Sequence, residues 1–226
     1  ISYAIDKSNI VSSVYNNQNS VADYPLDYGN FLYTENTASS GYNAEQAKKV
    51  LEDGGWTYIN NRWKKNIGGR TKTLRLKISV DKSNESRVAV AELIEKQLEE
   101  IGIAITLDKV SNDKYNQYVD NKSYQILLTG VYTSYSPDLT YYFSVGNISN
   151  YSNESMTELM QNANITKETK QLKEIYQKIY NLYKEDVPFV GLYRNKNITI
   201  TSQSMVGIVE PNNYSTFYGI EGWYRR

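Results

Sequence analysis

The stretch from residue 74 to residue 110 constrains the fold most. "LRLKISV" (74–80) alternates apolar and polar residues, as a half-buried strand does. "ESRVAVAELIEKQLEEIG" then carries Val88, Ala91, Leu98 and Ile101 on one helical face, with Gly102 at its end. "IAITLDKV" (103–110) alternates again. A strand, a helix and a strand with tight joins form a βαβ unit, which predicts parallel strands and a right-handed crossover. "SNDKYNQYVDN" predicts a short helix, and "YQILLTGV" a third strand, more continuously apolar and therefore more buried.

The flanking segments agree with an α/β class, a mixed sheet flanked by helices. "ISYAIDKSNIVSSVY" predicts an amphipathic helix, with Ile1, Ile5, Val11 and Val14 near helical spacing. A long polar stretch holding Pro25 follows. "NAEQAKKVLEDGGW" is a helix with Asn43 as N-cap and Ala47, Val50 and Leu51 as its stripe, stopped by Gly54–Gly55. "WTYINNRWKK" reads as a hairpin about Asn60–Asn61, and "NIGGR" as a turn. "SNESMTELMQNAN" and "TKETKQLKEIYQKIYNLYKEDVP" are helices, the second with Leu172, Ile175, Ile179 and Leu182 at helical spacing and Pro188 at its end. "FVGLYRN" and "NITIT" read as strands, and the tail is irregular. The chain has 226 residues, no internal repeat and no linker, which points to one domain. It begins with Ile and an amphipathic segment, as a piece of a longer protein does.

Absences narrow the chemistry. The chain has no His and no Cys. That excludes a serine–histidine triad, a cysteine nucleophile, a Cys/His zinc site and disulfides. A carboxylate-dependent glycosidase survives this filter. The paired acids Glu52–Asp53, Glu99–Glu100 and Glu185–Asp186 lie at helix ends, where solvation explains them. "DKSNESR" lacks the glycine and distal Glu of a calcium loop, and Ser83 or Asn84 suits a helix cap. No cofactor is implied. Formal charge is zero, which favours neither nucleic acid nor anionic lipid. The basic set Arg62, Lys64, Lys65, Arg70, Lys72, Arg75 and Lys77 follows strand alternation without needing nucleic acid. Triplets such as "NIS" and "NIT" match chance in a chain rich in Asn, Ser and Thr. No run of about 18 apolar residues occurs.

The candidate site is the loop after the third strand, "TGVYTSYSPDL". In open α/β sheets ligands bind beyond the carboxyl ends of strands. Gly130, Val131, Tyr132, Thr133, Ser134, Tyr135 and Asp138 combine flat aromatic faces with hydrogen-bonding tips.

Four segments, in order, resemble family 5 extracellular solute-binding proteins of ABC importers, the oligopeptide, dipeptide and nickel group. They are "SYAIDKSNIV", "YNAEQAKKVLEDGGW", "AELIEKQLEEIGIAITL" and "YQKIYNLYKEDVPFVGLY". The resemblance implies a type II periplasmic-binding-protein-like lobe. Residues 1–226 would be the second, C-terminal lobe of a bilobal receptor that closes on its ligand by a hinge, with the first lobe absent. It further implies peptide or small-molecule capture without catalysis, permease subunits as partners, and a lipid-anchored place outside the membrane or in the periplasm. In peptide-binding members the matching segment reads Gly-Trp-x-x-Asp-Tyr, and its Asp receives the ligand's α-amino group. Here Gly130 and Tyr135 match, Val131 replaces the Trp and Ser134 the Asp, with Asp138 four residues on. An Arg two residues before the glycine in some members is Leu128 here. The departures leave open a neutral ligand such as an oligosaccharide, and a domain that acts alone by interaction.

Overall fold

Asp6 divides the first segment. The computed structural model describes residues 1–26, 30–32, 41–133, 136–196, 200–207, 215 and 217–226. Ser2–Ala4 form one 3₁₀ turn, and α1 runs only from Lys7 to Tyr15. The single helix expected from residue 1 is interrupted because the Asp6 carboxylate accepts the Asn9 N–H at 2.9 Å, and an N-cap residue leaves the helical region. Ile5 and Val11 are buried as expected, with Ala4 and Ile10; Ile1 is exposed and Val14 half-buried. Strand β1 is Ser20–Val21, and α2 is Ala44–Asp53, capped by the Asn43 side chain. Ala47 is buried and Leu51 packs against the core, but Val50 turns to solvent.

The hairpin forms about Asn60–Asn61, both at positive φ, between β2 (Thr57–Ile59) and β3 (Arg62–Ile67). A second turn at Gly68–Gly69 adds β4 (Arg70–Thr73), a strand absent from the sequence reading. The resulting ribbon is pinned to the core by Trp63, which is 1% exposed and donates its indole N–H to the Ile101 carbonyl at 2.7 Å.

The βαβ unit is the frame. β5 (Arg75–Asp81) and β6 (Ala104–Val110) are parallel and flank α3 (Glu85–Glu100) in sequence. α3 buries Val90, Ala91, Ile94, Gln97 and Leu98. Each fully buried apolar side chain of this kind contributes about 1.5–3 kcal/mol. Gln97 joins this helix to α1, since its Oε1 accepts the Asp6 N–H at 3.0 Å. α4 is Asn112–Asn121, and β7 is only Ile126–Leu127, parallel to β5. The sheet order is β6–β5–β7, so the most buried strand is β5 and not the third strand. The apolar run of β7 misled because Ile126 and Leu127 lie at a sheet edge and are only half-buried.

A second core forms among α5 (Thr140–Phe143), α6 (Glu154–Ile165) and α7 (Thr169–Asp186). On α7 the buried residues are Tyr176, Ile179, Tyr180 and Tyr183, so the stripe expected through Leu172, Ile175 and Leu182 is rotated toward tyrosines. Tyr180 and Tyr183 pack against Tyr24, and Tyr183 also packs against Phe143 and Phe189. Strand β8 (Tyr193–Arg194) pairs antiparallel with β1, and the Tyr183 hydroxyl donates to the Asp23 carbonyl, so the two cores meet along this join. Of "NITIT", residues 197–199 lie outside the described residues, and Ile200 and Thr201 are in no strand. The tail holds a small pair, β9 (Met205–Val206) with β10 (Tyr224–Arg225). The class is α/β with sheets flanked by helices, and parallel and antiparallel pairings fall in separate sheets among the described residues.

Candidate functional site

Parallel strands send their carboxyl ends to one edge, and the loops there converge. Asp81 ends β5, Val110 ends β6, and Leu128 continues β7 by donating to the Ser79 carbonyl at 3.0 Å. The Tyr115 hydroxyl on α4 donates to the Leu128 carbonyl and holds the chain where it leaves the sheet. Asp81 is a buried carboxylate that accepts from Asn112 Nδ2 at 2.8 Å and from the Ser83 N–H and hydroxyl at 2.9 and 2.8 Å. The Asn112 bond first, then those of Ser83, hold its carboxyl below the usual range.

Gly130, Val131, Tyr132 and Thr133 run past this edge. Tyr132 projects fully into solvent at 103% exposure, Val131 is exposed and Thr133 half-buried. Ser134 and Tyr135 lie outside the described residues. Asp138 is exposed and accepts the Thr140 N–H at 2.8 Å and its hydroxyl at 2.5 Å, starting α5. One Asp138 oxygen is thereby engaged inside the loop. Tyr176 donates to the Pro137 carbonyl at 2.5 Å and anchors this part of the loop to α7.

The residue that sequence reasoning missed is Arg87. A Cβ on Gly130 would lie 2.6 Å from Arg87 Nη2, so the guanidinium packs directly on the loop. Arg87 is half-buried and its side chain makes no hydrogen bond or ion pair among the described residues. Its positive charge acts on Asp81 and on Tyr15. Tyr15 donates to the Tyr193 hydroxyl at 2.7 Å, with ring centroids 4.7 Å apart, and burial raises its phenol well above the ordinary value. A signal for Arg87 existed. It stands in the first turn of α3, where the helix dipole disfavours a cation. Among the described residues no cluster of His, Cys, Asp or Glu could hold a metal ion. No helix of the described residues is long and apolar enough to cross a membrane. The edge therefore offers a cation in no ion pair among the described residues, an exposed phenol and a backbone strip, which suits binding an anionic or polar group.

Comparison with known proteins gives a consistent result. The model of bacterial extracellular solute-binding proteins, family 5 Middle, matches residues 1–153. The fold matches the oligopeptide-binding protein AppA from Bacillus subtilis, in complex with a nonapeptide, at TM-score 0.77 and 24% identity, covering 100% of this chain and 46% of that one. It matches the oligopeptide-binding protein from Thermus thermophilus, complexed with a pentapeptide, at TM-score 0.78 and 17% identity, covering 98% and 40%. It also matches a mannohexaose-bound periplasmic oligopeptide-binding protein of an ABC transporter from Thermotoga maritima, at TM-score 0.78 and 17% identity, covering 96% and 44%. The chain thus spans less than half the length of these three structures. No curated protein matches it by sequence.

Proposed function

Because this chain belongs to the family 5 bacterial extracellular solute-binding proteins, we propose that it is the second lobe of a two-lobed importer receptor that captures oligopeptides by hinge closure. The observation that carries the peptide reading is Arg87, a half-buried guanidinium packed on Gly130 that makes no ion pair among the described residues. A guanidinium at a ligand edge, outside ion-pair distance of the described carboxylates, pairs favourably with a carboxylate supplied by the ligand. Tyr132 and Thr133 give stacking area and a hydroxyl beside it, and the backbone of 130–133 can pair with an extended peptide. Ser134 is a neutral polar contact in this reading and Tyr135 a second aromatic one. Asp138, partly engaged by Thr140, keeps an oxygen for an amine.

Capture involves no bond making. Closure brings the first lobe over the ligand, excludes water and strengthens the Arg87–carboxylate pair. The receptor would work outside the membrane and deliver ligand to permease subunits.

A second reading, a neutral oligosaccharide, draws on the mannohexaose-bound relative in fold and on Tyr132, whose exposed face suits a sugar ring. Calorimetry on the full receptor separates the two. The peptide reading expects binding of a free-carboxylate peptide, weaker binding of its C-terminal amide, and loss of that difference in Arg87→Ala. Equal affinity for acid and amide forms in the unaltered receptor, or binding of mannose oligomers alone, would refute it.

A further inference from the structure

Charge is segregated in this chain. Formal net charge is zero, yet residues 54–80 hold seven basic side chains and no acidic one, leaving 18 basic residues against 25 acidic elsewhere. The fold gathers most of that run into the β2–β3–β4 ribbon. Three of the seven are engaged. Arg62 lies 3.8 Å from Glu99, Lys77 lies 3.2 Å from Asp108, and Lys65 donates to the Gly54 carbonyl at 2.6 Å. Lys64, Arg70, Lys72 and Arg75 make no ion pair among the described residues. Lys65 and Lys72 are direct cross-strand partners, an arrangement that disfavours the ribbon itself. A lysine on an edge strand guards against stray pairing, but that purpose does not require two like charges opposite one another.

Strand alternation puts Arg62 and Lys64 on the outer face of the ribbon, and Lys65, Lys72 and Arg70 on the face that also carries the buried Trp63. The turns carry exposed apolar residues, Ile59 at one end and Ile67 at the other. Beside the ribbon, at the amino ends of β5 and β7, an open cavity of about 600 Å³ is lined by Arg75, Lys77, Lys122, Ser123 and Tyr124. Lys77 is held by Asp108, whereas Arg75 and Lys122 make no ion pair among the described residues. Clustered cations flanked by exposed apolar side chains suit a layer of anionic headgroups, which attracts the charges, accepts the apolar tips and supplies a phosphate for the cavity. We propose that this ribbon and cavity dock the chain on a membrane surface bearing anionic phospholipid headgroups. The surface lies at the opposite end of the parallel sheet from Gly130, so docking leaves the ligand edge free.

The test is cosedimentation with vesicles of phosphatidylcholine alone and of phosphatidylcholine mixed with phosphatidylglycerol. Binding is expected to the mixed vesicles only and is expected to disappear at high salt. Combining Lys64→Gln, Arg70→Gln, Lys72→Gln and Arg75→Gln should lower partitioning at least about 100-fold, since each cation near an anionic surface is worth roughly fivefold. Peptide binding and circular dichroism should stay unchanged in that variant, which separates this proposal from the ligand reading. Equal binding to phosphatidylcholine alone would overturn it. So would an equal loss when Lys167, Lys170, Lys173 and Lys178 are the residues changed to Gln. Tighter binding to soluble polyglutamate than to mixed vesicles would assign the face to an acidic polypeptide instead. Vesicle binding by this chain that vanishes in the full receptor would show an internal interface and overturn the proposal as well.

Discussion

The hydroxyl of Tyr176 donates to the carbonyl of Pro137 at 2.5 Å, tying the candidate ligand loop to the tyrosine core. Burial first, and the neighbouring Asp138 carboxylate second, push this phenol up to about 12. In the unfolded chain it titrates near 10. The folded state therefore keeps a proton that the unfolded state loses between these values. The resulting stability is fully present below pH 10 and is lost as pH rises through 12. Denaturant midpoints across that window should fall steeply, because burial also raises Tyr24 and Tyr183. Tyr176→Phe should flatten the slope by up to about 1.4 kcal/mol per pH unit. An unchanged slope would show that Tyr176 keeps an ordinary phenol in the fold.

Gly130 and Arg87 make a second pair with a readable consequence. Gly130→Ala places a Cβ 2.6 Å from a guanidinium nitrogen, and the flexible end of Arg87 must swing aside. Global stability should change by less than about 0.5 kcal/mol, as at other surface positions. Peptide affinity should fall, though by less than in Arg87→Ala, where loss of charge-assisted hydrogen bonds costs about 1.5–3 kcal/mol. Thermal denaturation and calorimetry on one preparation measure both.

Trp63 reports on how the basic ribbon is held. Trp63→Phe keeps most of the ring contact with the core but removes the indole donor to the Ile101 carbonyl. Leaving a buried acceptor unpaired costs about 1–3 kcal/mol, read as a lower denaturant midpoint. Trp63→Ala should cost about 3–5 kcal/mol through the cavity it leaves.

Val187 closes α7 at φ +44°, a left-handed conformation that disfavours a β-branched side chain. It is 40% exposed, so little packing is lost on substitution. Val187→Gly should remove the clash while keeping the backbone bond to Tyr183, and raise Tm by about 2–4 °C for about 1 kcal/mol. Val187→Ala retains the Cβ and should gain much less.

Local signals were reliable wherever one segment contained its own explanation. The Asn43 and Asn84 caps, the Asn60–Asn61 turn and the βαβ unit follow from side-chain oxygens, positive φ and periodicity, all settled within a few residues. Position in the sheet was not legible in the same way. Ile126 and Leu127 look like an interior strand, but only the order β6–β5–β7 makes them an edge. On α7, tyrosine and leucine stripes are both compatible with a helix, and the aromatic partners Tyr24, Phe143 and Phe189 selected the tyrosines.

The loop from Gly130 to Asp138 was visible as a polar–aromatic segment after a strand. Its cation was not, because Arg87 stands 43 residues earlier on another element. The sequence by itself determined which segments become helix or strand and that strands β5 and β6 run parallel. Only the tertiary structure decided that Arg87 meets Gly130 and that Lys65 stands opposite Lys72, since through-space neighbours arise when separate elements pack together.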